Sequence, residues 1–240
     1  SMTKKVINQK GILNDELIDT IEPNFIFKNE PINRFKIVKD NIEHNQTIKS
    51  ELLLKLKNQI NSIENCNLKD NSQNLILGDG NINSPVMLIG EAPGLDEDKT
   101  GTTFNGEIGE LLNKMLIAIK ISRKNIYCSY AVNFRPPEDR KPTSQEIKRY
   151  SVFLKNHISI INPKIIILMG STAMESLTGI NSKISSERGS WKEVILNNKT
   201  YPLIITFNPS YLIRFPENKK YSWLDLKEIR KKIDELKIII

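Results

Sequence analysis

Apolar positions along this chain follow two rhythms. From Ile48, the residues Ile48, Leu52, Leu56, Ile60 and Ile63 return every three or four positions, which predicts one face of a helix. Farther on, short apolar runs at 85–89, 125–132, 164–169 and 202–207 predict buried strands. Helical spacing returns between them. Ile108, Leu111, Leu112, Met115, Leu116 and Ile119 fall on one face. Thr143 and Ser144 ahead of Gln145-Glu146 start a helix that runs to about Ile160 and stops before Pro163. Gly170-Ser171-Thr172 opens a short helix, and Leu226, Ile229, Ile233 and Leu236 form the seam of a last one.

Strands separated by helices predict an α/β fold, a three-layer α/β/α sandwich around a mainly parallel sheet of about four strands. Residues 1 to about 45 show little periodicity and read as an irregular N-terminal extension, which places one domain at 46–240. Gly78-Asp79-Gly80 reads as a turn in a polar connector. The chain has no internal repeat.

Composition narrows the class. A chain of 240 residues with 39% hydrophobic and 26% charged residues fits a globular protein with its own core. No apolar run approaches the length of a membrane span, and the first residues lack the apolar core of a signal peptide. Two cysteines, Cys66 and Cys128, cannot make a disulfide framework, so a cytoplasmic location is expected. The net charge of +7 favours a polyanionic partner, nucleic acid first.

Candidate chemistry sits after the strands. Gly90 to Asp98, GEAPGLDED, directly follows the first apolar run and continues to TGTTFNG. NFRPPEDRKPT, from Asn133 to Thr143, follows the second, and NPSYLIR, from Asn208 to Arg214, follows the last. In a parallel sheet such loops share one edge and can converge on a pocket.

The same stretches carry a resemblance. Family-4 members of the uracil-DNA glycosylase superfamily have GEAPGxxED, a Gly-rich segment with a Phe, a CRPPxNRxPTxxE loop and HPSYLLR. This chain has GEAPGLDED, TGTTFNG, FRPPEDRKPTSQE and NPSYLIR in that order, and resembles that branch from about Ile48 to the last helix. The resemblance implies a fold that draws a base out of the stack and into a pocket. It places Phe104 as the stacking ring, Glu91 and Glu97 as the acids of the first motif, and the backbone amides of Ala92 and Gly94 beside the base. Ser210, Leu212 and Arg214 fall in the segment that enters the duplex, with Leu212 as a wedge and Arg214 as a phosphate contact. Ser171 and Thr172 open a helix where a phosphate can bind, and Arg188 matches a further loop near DNA.

Departures from the family are as informative. Of the four cysteines that hold a four-iron, four-sulfur cluster in that branch, only Cys66 remains; the other positions are Ile63, Phe134 and Tyr150. One thiolate cannot hold such a cluster, so neither cofactor nor metal is expected. Cys128 reads as a buried small hydrophobe, and His157 as a structural histidine. The asparagine that reads the uracil edge is Tyr130 here, that of the PPxNR segment is Asp139, and the motif histidine is Asn208.

These residues imply a monofunctional DNA glycosylase that removes uracil or a related damaged base by hydrolysis, since no lysine matches a Schiff-base position. Asn208 would stabilise the departing base, Asp139 would position water or oppose the sugar cation, and Glu91 would join them as a catalytic group. The expected partner is lesion-bearing DNA, with no membrane, and the expected state is a monomer. A catalytically inactive DNA-binding protein on the same fold is the alternative. A nucleotide-metabolising α/β enzyme is a weaker third, with no phosphate loop or metal cluster behind it.

Overall fold

The apolar runs form strands β2 (Val86–Gly90), β3 (Tyr127–Tyr130), β4 (Ile165–Met169) and β6 (Lys199–Thr206) in a computed structural model that describes residues 34–240. They pair in parallel in the order β3-β2-β4-β6. Every residue of β2, β3 and β4 is buried, as strands covered on both faces must be. Two further strands, β1 (Gly78–Gly80) and β5 (Trp191–Leu196), run antiparallel along the two edges and bring the sheet to six.

Both edge strands are corrections to the expected four. Gly78-Asp79-Gly80 is not a bare turn but pairs with β3 through Gly78↔Ser129 and Gly80↔Tyr127. Its glycines are required by close approach: a Cβ on Gly80 would lie 2.1 Å from the Ile126 carbonyl oxygen. β5 joins β6 through Asn197 and Asn198, both left-handed at φ 48° and 61°, the backbone of a tight hairpin. Its residues are mostly half-exposed or exposed, and Lys192-Glu193 interrupts it, so no long apolar run marks it.

The helices are α1 (Arg34–Asn61), α2 (Asn67–Asp70), α3 (Leu95–Thr100), α4 (Gly106–Ala118), α5 (Ser144–Ile161), α6 (Ser171–Thr178), α7 (Ile184–Glu187), α8 (Pro209–Arg214) and α9 (Lys219–Glu235). Alternate strand residues face opposite layers. Val86, Leu88 and Ile167 pack with Leu112 and Leu116 of α4 and Ile229 and Ile233 of α9. Met87, Ile89, Ile166 and Leu168 pack with Leu154 and Ile158 of α5 and Met174 of α6. This is the expected three-layer sandwich.

α5 opens on a capping box. Thr143 Oγ1 accepts from Glu146 N at 3.2 Å, and Glu146 Oε2 accepts from Thr143 N at 2.9 Å. α1 starts at Arg34, inside the stretch read as irregular, and its buried side is Leu53, Leu56 and Ile60; Ile48 and Leu52 are exposed. Leu236 likewise lies outside the buried seam of α9. By its contacts the chain divides into Ser1–Asn41 and Ile42–Ile240; the described part of the first unit is the opening of α1. Among the described residues no helix is long and apolar enough to cross a membrane.

His157 on α5 is buried in a polar knot, its Nε2 2.8 Å from the Tyr127 hydroxyl and its Nδ1 3.4 Å from Ser129 Oγ. Burial pulls its pKa down to about 3, so the ring is neutral. Cys128 is buried in β3, and burial pushes its thiol up to about 12.

Candidate active site at the carboxyl edge of the sheet

β2, β3 and β6 all end at one edge of the sheet, and the segments after them enclose a cleft of about 470 Å³. Its floor is built around Phe104. Gly90 closes β2 without a side chain because a Cβ there would lie 2.6 Å from the Phe104 ring and 3.1 Å from that of Tyr130. The two rings sit 4.9 Å apart, tilted by 34°, and Phe104 N donates to the Tyr130 hydroxyl at 2.8 Å. Phe104 is left-handed at φ 46°, a strained state for a bulky residue. The conformation is held from both sides of the peptide: Arg123 donates to the Phe104 carbonyl at 2.5 Å and to the Thr103 carbonyl, with its guanidinium 5.6 Å from the ring centroid. Only 2% of Phe104 is exposed. Nothing in the local sequence marked Arg123, which works from 19 residues away.

The first acidic motif splits into three roles. α3 begins at Leu95 after Gly94, which puts Asp96, Glu97 and Asp98 in its first turn, where the helix dipole favours acids. Asp98 is structural: buried, it accepts from the backbone N–H of Gln73 and of Asn74 at 2.9 and 3.0 Å. Asp96 lines the cleft beside Gly106. Glu97 is buried and lines the cleft, and burial raises its pKa above the ordinary carboxylate value.

Glu91, directly after β2, ties together the segments that follow β4 and β6. Its Oε2 accepts from Thr172 N at 3.0 Å and its Oε1 from Asn208 Nδ2 at 3.1 Å. Gly170, at φ 98°, leaves the space it fills, since a Cβ there would lie 2.4 Å from the Glu91 carboxyl carbon. Asn208 stands at the start of α8 yet makes no side-chain cap bond to it. Its amide is turned to Glu91 instead, and its Oδ1 is buried without a partner among the described residues. An asparagine that forgoes its own helix for a cleft carboxylate is placed for something other than capping.

Asp139 lies across the cleft in a strained turn, with Glu138 at φ 54° and Asp139 at 55°. Arg135 grips both its oxygens, Nε to Oδ1 at 2.7 Å and a terminal nitrogen to Oδ2 at 3.0 Å, a bidentate pair that fixes the carboxylate and raises the pKa of the arginine. Arg140 is held by Glu146 at 2.7 Å, and Lys141 reaches Ser171 Oγ at 3.1 Å. Arg140, Lys141 and exposed Arg214 give the mouth of the cleft a basic rim.

Most of the residues singled out in the sequence therefore meet. Glu91, Ala92, Gly94, Glu97, Phe104, Tyr130, Asp139, Thr172, Asn208, Ser210 and Arg214 all line this one cleft, with Ser171 tied to it through Lys141. Two do not. NPSYLIR is a helix, α8, whose Ser210 and Arg214 share the cleft side while Leu212 turns into the core and is 1% exposed. A wedge must project, so Leu212 in this conformation is a core residue. Arg188 is not among the cleft residues; it is bidentate to buried Asp225, whose Oδ2 also accepts from Thr206 Oγ1 at 2.7 Å. Its partner makes it a structural anchor for α9.

The four positions of the family's iron–sulfur ligands do come together, but as packing. Cys66, Phe134 and Tyr150 form one apolar cluster with Leu56, Ile60, Leu68 and Val132, and Ile63 packs against it. Cys66 Sγ lies 3.1 Å from the Tyr150 hydroxyl, and the Phe134 and Tyr150 rings meet edge to face at 6.4 Å. One thiol among apolar and aromatic groups does not fit an iron–sulfur cluster.

A family model described as the uracil DNA glycosylase superfamily matches residues 77–229, a span that takes in the whole cleft. The chain is also similar to a type-4 uracil-DNA glycosylase of Thermotoga maritima, 35% identical over 172 residues, which is 71% of this chain and 88% of that protein. Type-4 enzymes of Sulfurisphaera tokodaii and Archaeoglobus fulgidus are 34% and 30% identical, over 74% and 71% of this chain and 83% and 88% of theirs.

Proposed function

The chain belongs to the uracil DNA glycosylase superfamily, and from that premise we propose that it is a monofunctional DNA glycosylase that hydrolyses uracil or a related damaged base from DNA. The observation that carries this reading is the convergence of Glu91, Asn208, Asp139 and the Phe104 ring on one cleft with a basic rim. Cleaving the N-glycosidic bond builds positive charge on the sugar and negative charge on the base, and a catalyst must meet both.

Asn208 has two amide hydrogens. One is fixed on Glu91 at 3.1 Å, which orients the group; the other serves the carbonyl oxygen of the departing base. Asp139, its oxygens held by Arg135, keeps free lone pairs to orient water or face the sugar cation. Glu91 positions Asn208 and adds negative charge on the sugar side. Arg214, Lys141 and Arg140 receive phosphates of a strand whose target nucleotide has been flipped.

One observation favours the inactive DNA-binding alternative: the Tyr130 ring covers Phe104, which keeps only 2% of its surface exposed for stacking. Incubation with a uracil-containing duplex, followed by alkali cleavage of abasic sites, separates the two readings. Strand cleavage at the uracil establishes the enzyme; intact strands across a panel of single lesions, with DNA still bound, establish the alternative.

A further inference from the structure

Two consecutive peptide N–H groups hold two different side chains side by side at the floor of the cleft. Phe104 N donates to the Tyr130 hydroxyl at 2.8 Å, and Asn105 N donates to Glu97 Oε1 at 3.4 Å. Both side chains line the cleft, and both are almost wholly buried, Tyr130 at 3% and Glu97 at 4% exposure.

Each has capacity left over. The Tyr130 oxygen accepts from Phe104, so its own hydrogen has no acceptor among the described residues. Glu97 has no cation paired with it among the described residues; its carboxylate is met only by backbone N–H groups, those of Glu97 itself, Asn105 at 3.4 Å and Gly94, and it keeps lone pairs to spare. A glutamate in the first turn of a helix ordinarily sits in water. Burying its carboxylate without a cation costs free energy, and such a cost is retained where the group works. Burial raises both acids, and the Glu97 charge raises Tyr130 further, so the two groups feel each other.

We propose that Tyr130 and Glu97 together read the edge of the flipped base, the phenol donating to a ring carbonyl and the carboxylate accepting from the ring N–H beside it. Resting on the glycosylase reading above, this pair supplies the donor and the acceptor that a single amide at position 130 supplies in the family the chain resembles. The pair selects bases whose ring N–H adjoins a carbonyl, as in uracil or a deaminated purine, and so separates them from cytosine and adenine; rejection of thymine and guanine falls to the shape of the cleft. Cytosine is rejected because its ring nitrogen lone pair faces the carboxylate and its amino group faces the phenol hydrogen. The two groups are tethered to separate peptide N–H groups, so they cannot exchange places to suit it.

The test uses binding, so that it does not depend on turnover. The probes are a duplex carrying one 2′-fluoro-arabino-deoxyuridine, whose fluorine blocks cleavage, and the matched 2′-fluoro-arabino-deoxycytidine duplex. Wild-type protein should prefer the uracil probe by about tenfold or more, the worth of a charge-assisted bond. Tyr130→Phe and Glu97→Leu should each bring that preference within about threefold, whereas Tyr130→Asn, which restores an amide, should keep it. Melting curves establish that each variant is folded. No preference in the wild type, or full preference in both the Phe and Leu variants, overturns the pair as reader even if uracil is released from an ordinary duplex. Preference without any base release upholds the pair and defeats the glycosylase reading instead.

Discussion

The amide of Asn208 donates to the carboxylate of Glu91 across 3.1 Å, joining the first motif to the last across 117 positions of sequence. The bond fixes which end of the amide faces Glu91, because a flipped amide would set oxygen against oxygen. Removing the side chain removes the proposed donor to the departing base. Asn208→Ala should slow uracil release about a hundredfold or more in single-turnover assays, the usual loss for one such donor. A variant within a few-fold of wild type would take Asn208 out of the chemistry.

Asp139 is held by Arg135 yet remains 54% exposed toward solvent and cleft. Its proposed work belongs to the transition state, so Asp139→Ala should lower the rate of base release while leaving the duplex Kd nearly unchanged. Equal losses in both would mark it as a binding residue.

Arg214 stands on the rim with its guanidinium 5.8 Å from the Phe215 ring centroid. As a phosphate contact it should matter equally for every DNA sequence, and Arg214→Ala should shallow the dependence of log Kd on log salt by about one unit. An unchanged slope in fluorescence anisotropy titrations would place this side chain off the DNA.

Ile63, Phe134 and Tyr150 fill ligand positions with groups that cannot coordinate iron. Purified protein should be colourless and contain no stoichiometric iron by elemental analysis. Visible absorption that bleaches on reduction would contradict the packing described at Cys66.

His157 sets a pH limit on stability. Its folded pKa is pulled down to about 3 by burial, below the unfolded value near 6.5. The unfolded state therefore binds the extra proton between these values. Stability is fully present above about pH 6.5 and falls as pH drops toward 3, by up to about 1.4 kcal/mol per pH unit from this group. Urea midpoints measured across that window should fall with pH in the wild type and fall less steeply in His157→Gln.

The sequence showed the buried middle of this fold more clearly than its margins. β2, β4 and the apolar part of β6 announce themselves because parallel strands covered on both sides are continuous apolar runs. β1 and β5 pair on one side only, so the glycines of the first and the Lys192-Glu193 pair inside the second hid them. The cleft was legible because its residues sit in three distinctive loops. Leu212 is misleading in the sequence because a short Pro-containing motif after a strand has the signature of a loop. Placed on a helix, Ser210 and Arg214 are four residues apart and share one face, and the leucine between them must turn elsewhere. Arg188 and Arg123 act on partners distant in sequence, Asp225 and Phe104, which no local pattern records.

The apolar packing around Cys66 has a consequence for how this protein comes into being. An enzyme that needs an inorganic cluster is finished only after translation, by assembly machinery that delivers iron and sulfide. Here the chain closes the corresponding space with Phe134, Tyr150 and Ile63, so this site is completed by folding alone. The step that iron delivery governs in a cluster enzyme is, at this site, a step of polypeptide packing.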